Sequence, residues 1–378
     1  MENVCRPPST ARAEQHWPDW KGPESGGFPN LVGLPGRNET ANRCLGVKRS
    51  EVRILSARPI RRRDSVSSVW RQPDRAPLTT SRGASGARFG CAASRAPRVH
   101  EYRDPMSDYL AVNRANWDSR VPHHLAGYGV DQYLDDPTHL SGVVRFDRQR
   151  LGSIEGLDVV HLQCHIGTDT LSMARLGART VTGLDFSTPA LEAAARLAAG
   201  CAMDISFVEA DVYNAVEALG PARFDLVYSG IGALCWLPDV RRWADVVAAL
   251  LRPGGRLFIR EGHPVLWALE DPRPDGLLVL GYPYFETEGV AFSEPISYVE
   301  HTVPLDSPDI IHFNHGLAEI VTAVMDAGLQ LAALEEHDTV PWNPLAEAME
   351  DVGGGEYRLR DAPRRLPATY TLQATKPG

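Results

Sequence analysis

A chain of 378 residues with 43% apolar content is long enough to bury one large core or two small ones. Its charge is divided: residues 1–105 hold 19 Lys and Arg against 10 Asp and Glu, residues 106–378 hold 20 against 38, so a net of +9 is joined to a net of −18. The acidic part argues against a nucleic-acid partner, no apolar run is long enough to span a membrane, and six cysteines without a CxxC pair argue against a disulfide scaffold or a zinc cluster.

The first 105 residues (RPIRRRDSVSSVW, TTSRGASGARFGCAASRAPRVH) carry neither the helical nor the strand period, and read as a disordered basic extension. Arg61, Arg62 and Arg63 would suit a nucleic-acid-binding arm, and the Arg/Ser-rich composition an organelle-targeting peptide. The favoured reading is a start-site artefact, with translation beginning at Met106, because folded-protein patterning starts at MSDYLAVNRANW. A helical lead-in follows, carrying Trp117 and Tyr128, and the domain is expected to run over 106–378.

From Asp158 onward DVVHLQC, RTVTGLDF, ISFVEAD, FDLVYSG and GRLFIRE read as five strands, nearly continuously apolar as in a parallel sheet covered on both faces. Helices are expected at Thr170–Gly177, at Pro189–Ala199 with Thr188 as N-cap, and at Asp239–Leu251 before the turn RPGG. Residues 262–315, rich in aromatics and Pro, look like an insertion over the ligand crevice. A helix at Gly316–Ala327, a strand near Leu331–Glu336 and a last strand ATYTLQATK complete the chain. The expected fold is α/β: a doubly wound, mostly parallel seven-stranded sheet, cofactor-binding core about 157–261, with an irregular insertion after the fifth strand. Such sheets bind ligands at the carboxyl ends of their strands.

The stretch VVHLQCHIGTDT lies at the first such end. Gly167 precedes a helix and Asp185 ends the second strand eighteen residues later, the layout of a nucleotide loop with a carboxylate near ribose hydroxyls. A dinucleotide fingerprint needs three glycines and only Gly167 remains, which disfavours an NAD(P)-dependent oxidoreductase. The third strand ends in Asp211 and the fourth in Ser229-Gly230-Ile231-Gly232, a footprint suited to an adenosine with an amino-acid tail. His161, Cys164 and His165 could ligate a metal, but no ligand-spacing pair is present and no metal is expected. Cys164 could be a nucleophile; a buried small hydrophobe is its ordinary role.

The elements HLQCHIGTDTLS, TGLDFS, EADVY, FDLVYSGIGALCWLPD and LRPGGRLFIREGHP resemble a class I S-adenosylmethionine-dependent methyltransferase, in a bacterial subgroup whose first motif reads LHLQCHxGxDTLS. The resemblance covers 106–378 and implies an enzyme with S-adenosyl-L-methionine as cofactor, while a cytoplasmic location is expected from the lack of a membrane-spanning run and of the apolar core of a secretory signal in MENVCRPPST. It implies that His161 to Gly167, including Gln163, Cys164 and His165, wraps the methionine part. Asp185 would bind the ribose hydroxyls, with Phe186 and Ser187 beside it, and Asp211 and Val212 would face the adenine. Ser229, Gly230 and Ile231 would line the far side. Three positions depart from the family pattern: His161 stands where an acidic residue is usual, and Gln163 and His165 replace two glycines. A non-catalytic cofactor-binding protein is the other class compatible with this footprint.

For the acceptor, a small molecule is expected, since the insertion is aromatic and the domain acidic. His263, in REGHP beside Glu261, is expected at the crevice mouth as a base or orienting group, and Tyr284 in the insertion as a second catalytic candidate. Phe285, His301, His312 and His315 belong to or border the same insertion, and Trp236 would wall the pocket or anchor the next helix. Asp225 begins its strand, on the wrong edge of the sheet, and reads as structural. Transfer by in-line displacement depends on positioning and on excluding water, so no acid-base pair is required. The sequence carries no signal for oligomeric state.

Overall fold

The structure, a computed structural model, describes residues 109–378 apart from Glu286, Thr287 and Glu300. The basic extension lies outside the described residues, together with the expectations placed on it.

Three helices lead in: α1 (Tyr109–Gly127), α2 (Val130–Asp135) and α3 (Gly142–Leu151), the last capped by the Ser141 hydroxyl, which accepts from Val144 N. The alternating part follows as β1 (Asp158–Leu162), α4 (Thr168–Arg175), β2 (Thr180–Asp185), α5 (Thr188–Gly200), β3 (Ser206–Glu209), α6 (Ala215–Leu219), β4 (Phe224–Ser229), α7 (Val240–Leu250) and β5 (Leu251–Gly262). The inserted and closing part holds α8 (Pro264–Trp267), β6 (Val290–Ser293), β7 (Asp309–His312), α9 (Leu317–Asp326), β8 (Gln330–His337), β9 (Thr339–Val340), β10 (Met349–Asp351), β11 (Tyr357–Leu359) and β12 (Thr369–Thr375).

Seven strands form one sheet in the order β3-β2-β1-β4-β5-β12-β8. β12 runs antiparallel to both neighbours and the remaining pairings are parallel, so the expected mostly parallel, doubly wound sheet is present. Both faces of its central strands are buried because successive residues feed different cores. Val160, Leu162, Val227, Leu257 and Ile259 pack with Trp243 and Val247 of α7 on one side. Val159, Val181, Leu226, Tyr228 and Phe258 pack with Val144 and Leu151 of α3 and Met173 of α4 on the other. The two-residue side-chain period of a strand therefore produces the nearly continuous apolar runs seen in the sequence.

Charges gather at the amino ends of the central strands, away from the carboxyl ends. Arg179 and Arg252 both bind Asp158, and Arg252 Nη1 donates to Asp225 Oδ1 at 2.8 Å, so Asp225 is structural. Some boundaries differ from expectation. The cap of α5 is Ser187, whose hydroxyl accepts from Ala190 N, and Thr188 is the first helical residue. α4 starts at Thr168, two residues early, because Gly167 adopts the left-handed conformation that lets the chain turn directly into the helix. Unanticipated elements are α6 and a small sheet ordered β10-β11-β9. The insertion is less irregular than expected, since β6 and β7 pair as an antiparallel ribbon. Among the described residues, no helix is long and apolar enough to cross a membrane.

Candidate functional site

Strand order reverses between β1 and β4, and the loops leaving those two strands open a crevice there. The loop after β1 is held in an unusual shape: Gln163 (φ 56°), His165 (φ 46°) and Gly167 (φ 75°) are all left-handed. The conformations belonging to a glycine-rich turn are kept although two of the glycines are gone, at a cost of about 1–2 kcal/mol per non-glycine residue.

Hydrogen bonds offset that strain. Asp185, at the end of β2, accepts from His165 N at 2.8 Å through Oδ2 and from Ser187 N at 2.9 Å through Oδ1. Gln163 Nε2 donates to Ala233 O at 3.0 Å, leaving its buried Oε1 without a partner. His165 Nε2 lies 2.8 Å from His124 Nδ1 on α1, and His124 Nε2 lies 2.8 Å from Ser297 Oγ. Burial pushes His124 down to about 2 and His165 to about 3, so this relay is uncharged at neutral pH. Burial also raises Asp185 to about 6, opposed by the N–H groups it accepts. His161 Nδ1 meets Thr170 Oγ1 at 2.9 Å while its Nε2 is buried and unpartnered.

Two adjoining chambers occupy the crevice. The smaller, about 100 Å³, lies at the strand ends and brings together Gln163, Cys164, His165, Asp185, Phe186, Gly230 and Ile231. The larger, about 760 Å³, lies under the insertion and is walled by Trp117, Trp236, Trp267, Trp342, Phe292 and Arg120. Trp117, Tyr128, Trp236 and Tyr298 border both, and the Tyr128 and Tyr298 hydroxyls are hydrogen-bonded to each other. Arg120 is buried, binds Asn116 Oδ1 at 2.6 Å and pairs with Glu294 at 3.2 Å.

Other expected residues are engaged elsewhere. A Cβ on Gly167 would lie 2.8 Å from Ala194 Cβ, so that glycine answers to the packing of α5. Ser187 caps α5 and donates to Asp118 at 2.6 Å. Asp211 caps the short turn that follows it, accepting from Tyr213 N at 2.8 Å, Val212 lies in the core, and Ser229 is fully buried. Cys164 packs its sulfur toward Gly183 of β2, and burial pushes its thiol well up, as for a small hydrophobe.

His263 and Tyr284 line neither chamber. His263 caps α8 through Nδ1, which accepts from Val265 N, and its Nε2 stands 2.9 Å from Glu336. Tyr284 Oη accepts from Leu317 N at the start of α9. Proximity to β5 in sequence suggested a crevice position for His263, but α8 turns its ring toward β8. Glu261, its neighbour, accepts from Gly232, Ala233 and Leu234 N and so shapes the loop after β4. Residues that reasoning from sequence missed are His124, Arg120, Tyr298 and Asp169. The first three come from segments far from any motif; Asp169 stands inside HIGTDT, where a first-turn acid is the ordinary reading.

Comparison with known proteins finds partial matches centred on the alternating part of the chain. Residues 160–257 match the family model described as "Methyltransferase domain". A ubiquinone biosynthesis O-methyltransferase of Photorhabdus laumondii is 34% identical over 110 residues, 29% of this chain and 45% of that protein. One from Serratia proteamaculans is 33% identical over 167 residues, 44% of this chain and 63% of its own length. The chain thus spans about half the length of the curated relatives it matches. Among solved structures, an S-adenosylmethionine dependent methyltransferase from Mesorhizobium loti aligns at 22% identity with a TM-score of 0.44, covering 64% of this chain and all of that one. The segment 160–257 thus matches a methyltransferase-domain model and lies within the seven-stranded sheet.

Proposed function

We propose that the protein is an S-adenosylmethionine-dependent methyltransferase acting on a small-molecule acceptor, with residues 106–378 as its catalytic unit. The observation that carries the reading is the joining of the two chambers: a polar one at the strand ends opens beside an aromatic one large enough for a small organic molecule. The residues of the first fit the cofactor. They offer a left-handed loop, a carboxylate at the end of β2, and the buried unpartnered atoms Gln163 Oε1 and His161 Nε2.

When bound, S-adenosylmethionine supplies an electrophilic methyl group. In this reading Asp185 accepts hydrogen bonds from the ribose hydroxyls, Phe186 lies beside the adenine, and Gln163 and His165 hold the tail. Gly230 and Ile231 form the opposite wall. Trp117, Trp236, Tyr128 and Tyr298, at the junction, orient the acceptor in line and exclude water, which is where the rate enhancement arises. The relay from Ser297 through His124 to His165 stays neutral and keeps the loop in place without adding charge. No chemical step is given to His263 or Tyr284, and Asp211, Val212 and Ser187 keep structural roles. The free Cys164, Cys201 and Cys235 fit a cytoplasmic location.

Calorimetric titration with S-adenosylhomocysteine, NAD and NADP tests the reading. Micromolar binding of the first alone is the expected result. Binding of a nicotinamide cofactor instead would replace the proposal with an oxidoreductase.

A further inference from the structure

In the resembling family an acidic residue usually ends the first strand, and here His161 holds that position. A carboxylate is nonetheless present in the strand-end chamber, eight residues further on. Asp169, in the first turn of α4, borders both chambers. A Cβ built on Gly230, at the exit of β4, would lie 3.3 Å from His161 Nε2 and 3.4 Å from Asp169 Oδ2. Two polar groups, from β1 and α4, thus lie close to the Gly230 backbone and line the same chamber where the strand order reverses.

His161 is buried with one ring nitrogen unsatisfied, whereas Asp169 is half-buried at the chamber wall. His161 is only 3% exposed, its Nδ1 is engaged by Thr170, and its Nε2 has no partner. Asp169 is hydrogen-bonded by the Ser141 side chain, while none of the ion pairs among the described residues includes it. Burial raises its carboxyl above the usual range, and no cation stands among the influences on it. His161 and His165, which line the same chamber, are both held neutral by burial. A half-buried carboxylate that faces a chamber and lacks a cationic neighbour favours a positive partner with N–H donors. In the tautomer that donates Nδ1–H to Thr170 Oγ1, His161 Nε2 is a second acceptor lining the same chamber.

We propose that Asp169 Oδ2 and His161 Nε2 together hold the α-ammonium group of the cofactor's methionine tail, so that the negative charge absent from the end of β1 is supplied from α4. The inference rests on the cofactor reading above. A side chain at Gly230 would press on both acceptors, since its Cβ alone would lie 3.3 Å from one and 3.4 Å from the other. The competing role for Asp169, a first-turn acid that favours the N-terminus of α4, needs no ligand and is blind to an amino group.

The test is a cycle of ligand and protein changes, read by calorimetry on the full chain. S-adenosylhomocysteine is compared with its desamino analogue, the thiobutyrate, on wild type, Asp169→Asn and Asp169→Ser. Wild type should prefer the amino compound by roughly 10- to 100-fold. The Asn variant should lose that factor for S-adenosylhomocysteine, bind the desamino compound within about twofold of wild type, and so show no preference. A preference that survives in both variants overturns the proposal, as does a wild type that binds the two compounds equally, a comparison needing no variant to fold. Failure of wild type to bind either S-adenosylhomocysteine or 5′-methylthioadenosine would instead end the cofactor reading itself.

Discussion

Gly167 illustrates how one position can answer two demands. Its φ of 75° turns the chain from the β1 loop into α4, and its missing side chain lets Ala194 and the Phe207 ring approach. Gly167→Ala adds left-handed strain to a contact of 2.8 Å against another Cβ, and the expected loss is about 2–4 kcal/mol of unfolding free energy. Urea denaturation measures it; a change below about 0.5 kcal/mol would mean that the loop and α5 separate freely. Asp147 belongs to the same scale. Its Oδ2 accepts from Tyr228 Oη at 2.7 Å, its Oδ1 is buried without a partner, and burial raises its carboxyl to about 7. An acid raised in the folded state contributes stability below its unfolded value near 4, and that contribution is lost as pH rises toward 7. Asp147→Asn should therefore flatten the wild-type decline in Tm between about pH 4 and 7. Parallel Tm-against-pH curves for the two proteins would show that the carboxyl is not protonated in the folded state.

At the level of elements, the central parallel strands were legible because burial on both faces leaves short, nearly continuous apolar runs, whereas β3, with no fully buried residue, was read from its place in the alternation. β1 shows it most plainly, since Val159, Val160 and Leu162 are all buried. The carboxylate of Asp185 was legible for the same reason, as a charge ending such a run. Short elements were not: α6 has five residues, and β9, β10 and β11 have two or three each, below the length at which a period can be read. The site divides along the same line. Gln163, His165, Asp185, Phe186, Gly230 and Ile231 follow strands and were found, whereas His124 and Arg120 reach the crevice by packing α1 across it. Asp185 and Asp211 look alike in sequence and each accepts from the N–H two residues on, but only Asp185 lines the strand-end chamber.

Across the described molecule, α1 is clasped to the insertion by a series of polar contacts. Asn116 Nδ2 donates to Ser307 O at 2.7 Å, Arg120 binds Glu294 and Ser297, His124 meets Ser297, and His123 stacks on His301. The same helix also touches the β1 loop through His165, so it links the roof of the large chamber to the floor of the small one. His124→Ala should loosen both attachments at once. Hydrogen-exchange mass spectrometry is expected to show faster exchange in peptides covering 294–307 and 163–167, with the strands of the central sheet unchanged. Faster exchange in the insertion alone would mean that the two attachments are independent.

The aromatic walls of the large chamber have one more consequence, an optical one. Of the five tryptophans among the described residues, four border it, and Trp267 and Trp342 lie stacked with centroids 5.6 Å apart and planes 19° from parallel. Indoles that close share their excited states, and a guest entering between these walls displaces water from their rings and alters their coupling. Emission and near-ultraviolet dichroism thus act as a built-in reporter of what the chamber holds, so a library of candidate acceptors could be screened with no label attached to either partner.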